Sequence, residues 1–330
     1  MRVFRWFVLV VSFTVPSAAC AQDVHVQVSP DAPKTPVSDL LFPTIQMALD
    51  HAPQPGPNGR LYIQIAPGIY HERVIVTQNR PRTTMLGTGK TPNDVVITAS
   101  ENAKTAGGTF FSSTVEIYGA AFEADNLTFE NDAGHTGQAV AITVRSDRSI
   151  FKHCRFIGDQ DTLFADFGRQ YYVDDYIQGG VDFIFGNAAA IFADSEIHII
   201  RPGYLTAQSR TASNQPTGYV FLHDRITAAD LGGKEFFLGR PWRAYSRVVF
   251  LDTEMPASLS PLGWSPWSKD TTLQHAFYAE RGSTGPGARI ASRIAGSQQL
   301  TASEAAQFSS KRFLAGSDHW NLVKEAASLP

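Results

Sequence analysis

Cysteine is almost missing from this chain, with two residues in 330. One of them, Cys20, sits in an N-terminal segment built like a secretory signal. Arg2 and Arg5 supply the positive charge, Trp6–Val15 the apolar run, and Ala19-Cys20-Ala21 the small residues of a cleavage point. The run is too short to span a bilayer. Cleavage before Gln22 leaves Cys154 alone, so no internal disulfide can form. A secreted chain of this kind has to be held by burial and hydrogen bonding. Lipid attachment at Cys20 is the alternative, disfavoured because Ser17 stands where such sites carry a large aliphatic residue. Charge is also sparse, at 18% of residues and a net −3. Losing the signal removes two arginines and no acid, which takes −3 to −5. No basic run stands out, so the chain has no footprint for nucleic acid. The nine histidines are scattered, and no His or Cys group has metal-ligand spacing. No linker divides the rest, so 1–21 reads as signal and 22–330 as one domain.

What the chain does have is a repeat. An aromatic residue is followed three positions later by a small or polar one, and two later again by an apolar one. The pattern occurs at Phe122, Phe151, Tyr172, Phe192, Phe221 and Phe250. Each segment is short and rich in aromatic and β-branched residues, with Gly, Asn and Asp in the gaps. Short strands at such a period, without helical amphipathicity between them, predict an all-β chain wound as a parallel β-solenoid. A β-sandwich with evenly spaced strands is the rival. Ahead of the repeats, Phe42–His51 predicts a short helix with Thr44 as N-cap, closing the open end of the solenoid. Arg60–Thr77 predicts two strands, and Thr84–Thr98 another two. Residues 22–36 read as a polar lead-in. Ala302–Phe308 reads as a last helix before a tail through Trp320.

The repeat places two unusual aspartates together. Asp161 and Asp182 are 21 residues apart, the same interval as Phe151 to Tyr172. They therefore occupy near-equivalent positions on successive coils, about 4.8 Å apart by strand spacing. Taken singly, each is most simply a turn residue. In phase with them on the same face lie Gln138, Gln160, Arg240 and Trp242. Two carboxylates so close cannot both ionise freely, so one pKa should rise and the other stay low. Arg240 within reach of Asp182 would keep that one anionic, leaving Asp161 protonated as a general acid. Gln138 and Gln160 offer amide donors for an oxyanion, and Trp242 and Phe185 offer flat surface for a sugar ring. The set describes acyl transfer on a carbohydrate ester. A retaining glycosidase also uses carboxylates at this separation, but its transition state has no use for oxyanion donors.

These residues resemble the pectin methylesterases (pectinesterases, carbohydrate esterase family 8). The matching motifs are Gly137–Ala141, Gln160–Leu163, Asp182–Asn187 and Leu238–Trp242, in the family's order. The resemblance implies a single-stranded right-handed parallel β-helix acting on methyl-esterified homogalacturonan. It implies Asp182 as nucleophile, Asp161 as general acid/base, Gln138 and Gln160 at the oxyanion, and Arg240 orienting the nucleophile. Trp242, Phe110, Phe164 and Phe185 match its aromatic sugar contacts. Phe164 stands where many members have Tyr. The reading implies a secreted monomer that needs neither metal nor organic cofactor. Two other readings stay open: a same-fold esterase or thioesterase on another acyl group, and a non-catalytic polysaccharide-binding solenoid. Trp264 and Trp267 fit either site or packing, and Cys154 fits a buried filler.

Overall fold

The computed structural model describes residues 22–34, 40–268 and 273–327. The signal segment 1–21 with Cys20, and the last two residues of the lead-in, lie outside the described residues.

The chain winds as a parallel β-helix, and every strand pair in the two sheets is parallel. Among the described residues one sheet has 12 strands, running from Leu41–Phe42, Val24–Val28 and Leu61–Ile65 through Ser149–Lys152, Arg169–Val173 and Ala189–Ala193 to Phe277–Arg281 and Gln298–Gln299. The second sheet folds over two further faces. One face runs through Gly68–His71, Thr128–Asn131 and Arg155–Ile157, and the other through Val74–Val76, Ile142–Arg145 and Leu163–Phe167. The two long strands Tyr176–Gly186 and Glu196–Gln208 turn the corner between these faces without a break, which joins them into one sheet.

Register explains why the core holds. Phe151, Tyr172, Phe192, Phe221 and Phe250 face one another across successive strands, with ring centroids 4.9, 4.7, 4.7 and 4.4 Å apart. Those distances match the spacing of hydrogen-bonded strands, so backbone pairing and ring stacking reinforce each other. All five rings are buried. Each stacked pair adds about 0.5–1.5 kcal/mol beyond its burial. Phe122, the first marker of the repeat, is out of step. Ala124, not Phe122, pairs with Phe151. Phe122 is two residues earlier, still points inward, and meets Phe151 at a tilt, 5.6 Å away.

The N-terminal helix spans Ile45–His51, shorter than expected because Leu41–Phe42 pairs as strand. Thr44 caps it, accepting from Met47 N at 3.2 Å. Glu72 accepts from the next free amides, Ile45 N at 2.9 Å and Gln46 N at 3.0 Å. Ile45, Ala48 and Leu49 are buried in the solenoid core, so the helix does close that end. Two expectations need correction. The lead-in contains a paired strand, Val24–Val28, with alternating burial. Arg60–Thr77 holds three strands rather than two. At the other end, Ala302–Ala305 and Ser310–Phe313 are helical, and Phe308, Leu314, Trp320 and Leu322 pack on the outside of the first sheet against Ile191, Val220 and Val249.

Candidate active site

The site lies on the outside of the third face. Leu163 pairs with Ile184 and Phe164 with Phe185, so Asp161 and Asp182 occupy the same register on adjacent coils. Gln138 bridges to Gln160, and Gln160 to Val181, which aligns the row on three coils. Asp161 and Asp182 both have left-handed backbone, at φ 66° and 51°. Non-glycine residues seldom adopt this conformation, and the surrounding ladder holds both there.

One cavity is lined by Gln138, Gln160, Asp161, Asp182, Arg240 and Trp242, together with Phe110, Phe185, Thr109, Ala207 and Trp267. Arg240 comes from two coils further on. Its Nε donates to Asp182 Oδ1 at 2.9 Å and its Nη2 to Oδ2 at 2.6 Å. This is a two-point guanidinium–carboxylate pair, which fixes the carboxylate's rotamer as well as its charge. The guanidinium is itself clamped between two rings, Tyr204 at 4.1 Å and Trp267 at 4.2 Å. Such contacts are worth up to about 2 kcal/mol each when desolvated. Among the described residues no side chain or backbone group hydrogen-bonds the Asp161 carboxyl, or the side-chain amides of Gln138 and Gln160. Those groups are left for a ligand.

Burial pushes the Asp161 carboxyl well above the ordinary carboxylate range, and the Asp182 charge adds to the rise. Asp182 moves the same way, which corrects the expectation that it stays low. Its own burial outweighs the lowering by Arg240's hydrogen bonds and charge. The order of the pair is kept, with Asp161 displaced further.

The aromatic residues divide. Phe110 is 43% exposed and stacks on Phe164 at 5.0 Å, which in turn stacks on Phe185 at 4.5 Å. Phe164, expected among the sugar contacts, is 2% exposed and absent from the cavity wall. Its ring backs the two that line the cavity, Phe110 and Phe185. Trp264 is fully buried and stacks on Tyr278 at 4.2 Å, so it is core. Trp267 is site. Tyr204 is a site residue that the sequence reading missed, although register was the available signal, because Tyr204 pairs with Val181 beside Asp182.

Fold and site define a class: an enzyme built on a parallel β-helix with a guanidinium-held aspartate beside a second, buried aspartate. Comparison with known proteins gives the same answer. The Pectinesterase family model matches residues 37–317. A pectinesterase from Daucus carota is 39% identical over 83% of this chain and 90% of its own length. A probable pectinesterase/pectinesterase inhibitor from Arabidopsis thaliana is 38% identical over 86% of this chain, and the chain spans about half the length of that relative, 50%. The solved structure of pectin methylesterase from carrot superposes with a TM-score of 0.84 at 35% identity, covering 92% of this chain and 96% of that one. The chain belongs to the pectinesterase family, and so to the carboxylic ester hydrolases.

Proposed function

We propose that the chain, as a single secreted domain over 22–330 acting as a monomer, hydrolyses the C6 methyl esters of homogalacturonan. The observation that carries this reading is the asymmetry of the pair. Both oxygens of Asp182 are held by Arg240, while the Asp161 carboxyl in the same register is buried and, among the described residues, unbonded. One acid is kept charged and aimed, the other kept protonated. Asp182 Oδ attacks the ester carbonyl carbon. The side-chain amides of Gln138 and Gln160 donate to the oxyanion that forms. As the tetrahedral species collapses, the C6–methoxy bond breaks, Asp161 gives its proton to the methoxy oxygen, and methanol leaves. The acyl group stays on Asp182 as a mixed anhydride. Asp161, now a carboxylate, takes a proton from water as that water attacks the same carbon. Breaking the anhydride bond frees Asp182 as a carboxylate and leaves a carboxylic acid on the polymer, which gives its proton to solvent, with Asp161 again protonated. Phe110, Phe185 and Trp242 form the apolar wall against which a sugar ring stacks.

Two free amide donors support ester over glycoside hydrolysis. The decisive experiment is methanol release from highly methylated pectin by the mature chain and its Asp182→Asn variant, with thermal melts on both. Wild-type release and a loss of about 10⁴-fold or more in the folded variant support the nucleophile. Near-normal release by folded Asp182→Asn sinks that assignment. Thioester cleavage without methanol would move the substrate and keep the site.

A further inference from the structure

Two arginines meet without a counterion at the corner between the catalytic face and the first sheet. Arg210 Nε lies 3.0 Å and Arg247 Nη2 3.4 Å from the same acceptor, the carbonyl oxygen of Gln215. Arg210 also bonds Ser213 O, and Arg247 Nε bonds Thr217 O at 2.7 Å. Every acceptor is a neutral backbone carbonyl. Among the described residues no carboxylate lies within ion-pair distance of either guanidinium, whereas Arg169, Arg201, Arg240 and Arg293 each sit on one. Arg210 is 7% exposed. Two like charges sharing one acceptor at this burial are strongly uncompensated. Burial and the Arg210 charge together press Arg247 down to about 10.

Both arginines open into one cavity. Tyr245 and His275 form its flat side, stacked at 5.1 Å and 23°. Gln298 stands exposed at its edge. Glu304 also borders it, with its Oε2 accepting from Thr301 N and Oγ1, both at 2.8 Å, which ties that side chain to its own helix cap. A guanidinium pair suits a carboxylate, a flat ring pair suits a sugar face, and an amide suits a hydroxyl. We propose that this cavity is a second binding site, for a carboxylate-bearing sugar unit. The identity of that unit rests on the proposed function: ester hydrolysis leaves such carboxylates on the polymer. The position fits. Tyr245 follows Trp242 of the cleft by three residues. The backbone between them links the cleft wall directly to the cavity wall.

The test titrates unesterified galacturonate trimer into the whole mature chain by calorimetry. Two sites are expected, one lost in Trp242→Ala and the other in Arg247→Gln. Arg247→Gln should weaken its site roughly tenfold or more, the loss of a forked charge-assisted contact. Its kcat on a methyl-esterified trimer should not change. Because Arg247 also pins the 210–217 loop, a second variant separates the roles. Gln298→Glu places a carboxylate at the cavity mouth and leaves the arginine-to-backbone bonds intact. It should block the second site and raise the melting temperature. A single site in the wild type overturns the proposal. So does a second site that Gln298→Glu leaves untouched, since the arginines would then only staple the loop. Methanol release by the same wild-type sample reads the esterase assignment separately.

Discussion

Two rows of aspartates run up this solenoid, and they have opposite fates. At the inner corner between the first and second faces, Asp175 Oδ1 accepts from Cys154 N at 2.6 Å, and Asp224 accepts from Ser195 N at 2.8 Å and Leu222 N at 3.2 Å. Ser195 Oγ in turn accepts from Asp175 N at 3.0 Å. On the outer face that carries the candidate site, among the described residues, the Asp161 and Asp182 carboxyls accept no such backbone bonds, and Asp182 is held by Arg240. Burial raises the pKa of all four. Burial therefore does not distinguish them. The donor does. A coil's backbone amide is needed in every state of the molecule, so an acid that satisfies it is structural. An acid facing a cleft with its oxygens unengaged can exchange a proton with whatever enters.

The widest separation of the two rows should come from paired asparagine substitutions. Asp161→Asn is expected to lower kcat by about 10²–10⁴-fold, the worth of a general acid and base, while Asp175→Asn leaves methanol release unchanged. Equal loss in both would erase the distinction. Next, Arg240→Gln should lower kcat/KM by about 10²-fold, since it leaves Asp182 buried without a partner. Because Arg240 holds the Asp182 pKa down, its removal should also move the acid limb of the pH–rate profile to higher pH. An unmoved acid limb would mean that Asp182 is not the group titrating there. Trp267→Ala removes one of the two rings that clamp Arg240, with an expected loss of about 3- to 10-fold in kcat/KM and little change in melting temperature. The smallest effect is on stability. Folded Asp175 and Asp224 have raised pKa values, so their contribution is complete below the unfolded carboxylate pKa and is lost as pH rises through the folded one. Melting temperature should fall as pH rises above the ordinary carboxylate range, and Asp175→Asn should flatten that slope.

The solenoid and the register of the candidate site's row were legible because both depend on residue counts. Twenty-one residues per coil between Phe151 and Tyr172, and again between Asp161 and Asp182, fix which side chains stack. Counting fails where a coil's turns change length. Phe122 misled because a strand points every second residue inward, so an aromatic two positions out of register looks in phase. The Val24–Val28 strand alternates correctly, but without an aromatic marker it carried no repeat signal. The rings around Arg240 had no local pattern at all. Tyr204 arrives from the intervening coil and Trp267 from the irregular segment after the last repeat. The full rise of the Asp182 pKa was out of reach for a related reason. It depends on burial, which only the folded chain brings about.

The unbroken passage of Tyr176–Gly186 and Glu196–Gln208 around one corner has a consequence for motion. Asp182 belongs to the first of these strands, at a shift of register held between paired residues: Val181 pairs with Tyr204, and Ile184 pairs with Leu163 on one side and Thr206 on the other. Such a floor cannot tilt without breaking ladder bonds on two faces at once. Its amides should be among the slowest in the molecule to exchange with solvent. Adjustment to a ligand then falls to the walls, where Phe110 belongs to a single 3-10 turn and Trp242 to a bend. The molecule is a fixed anvil with adjustable jaws.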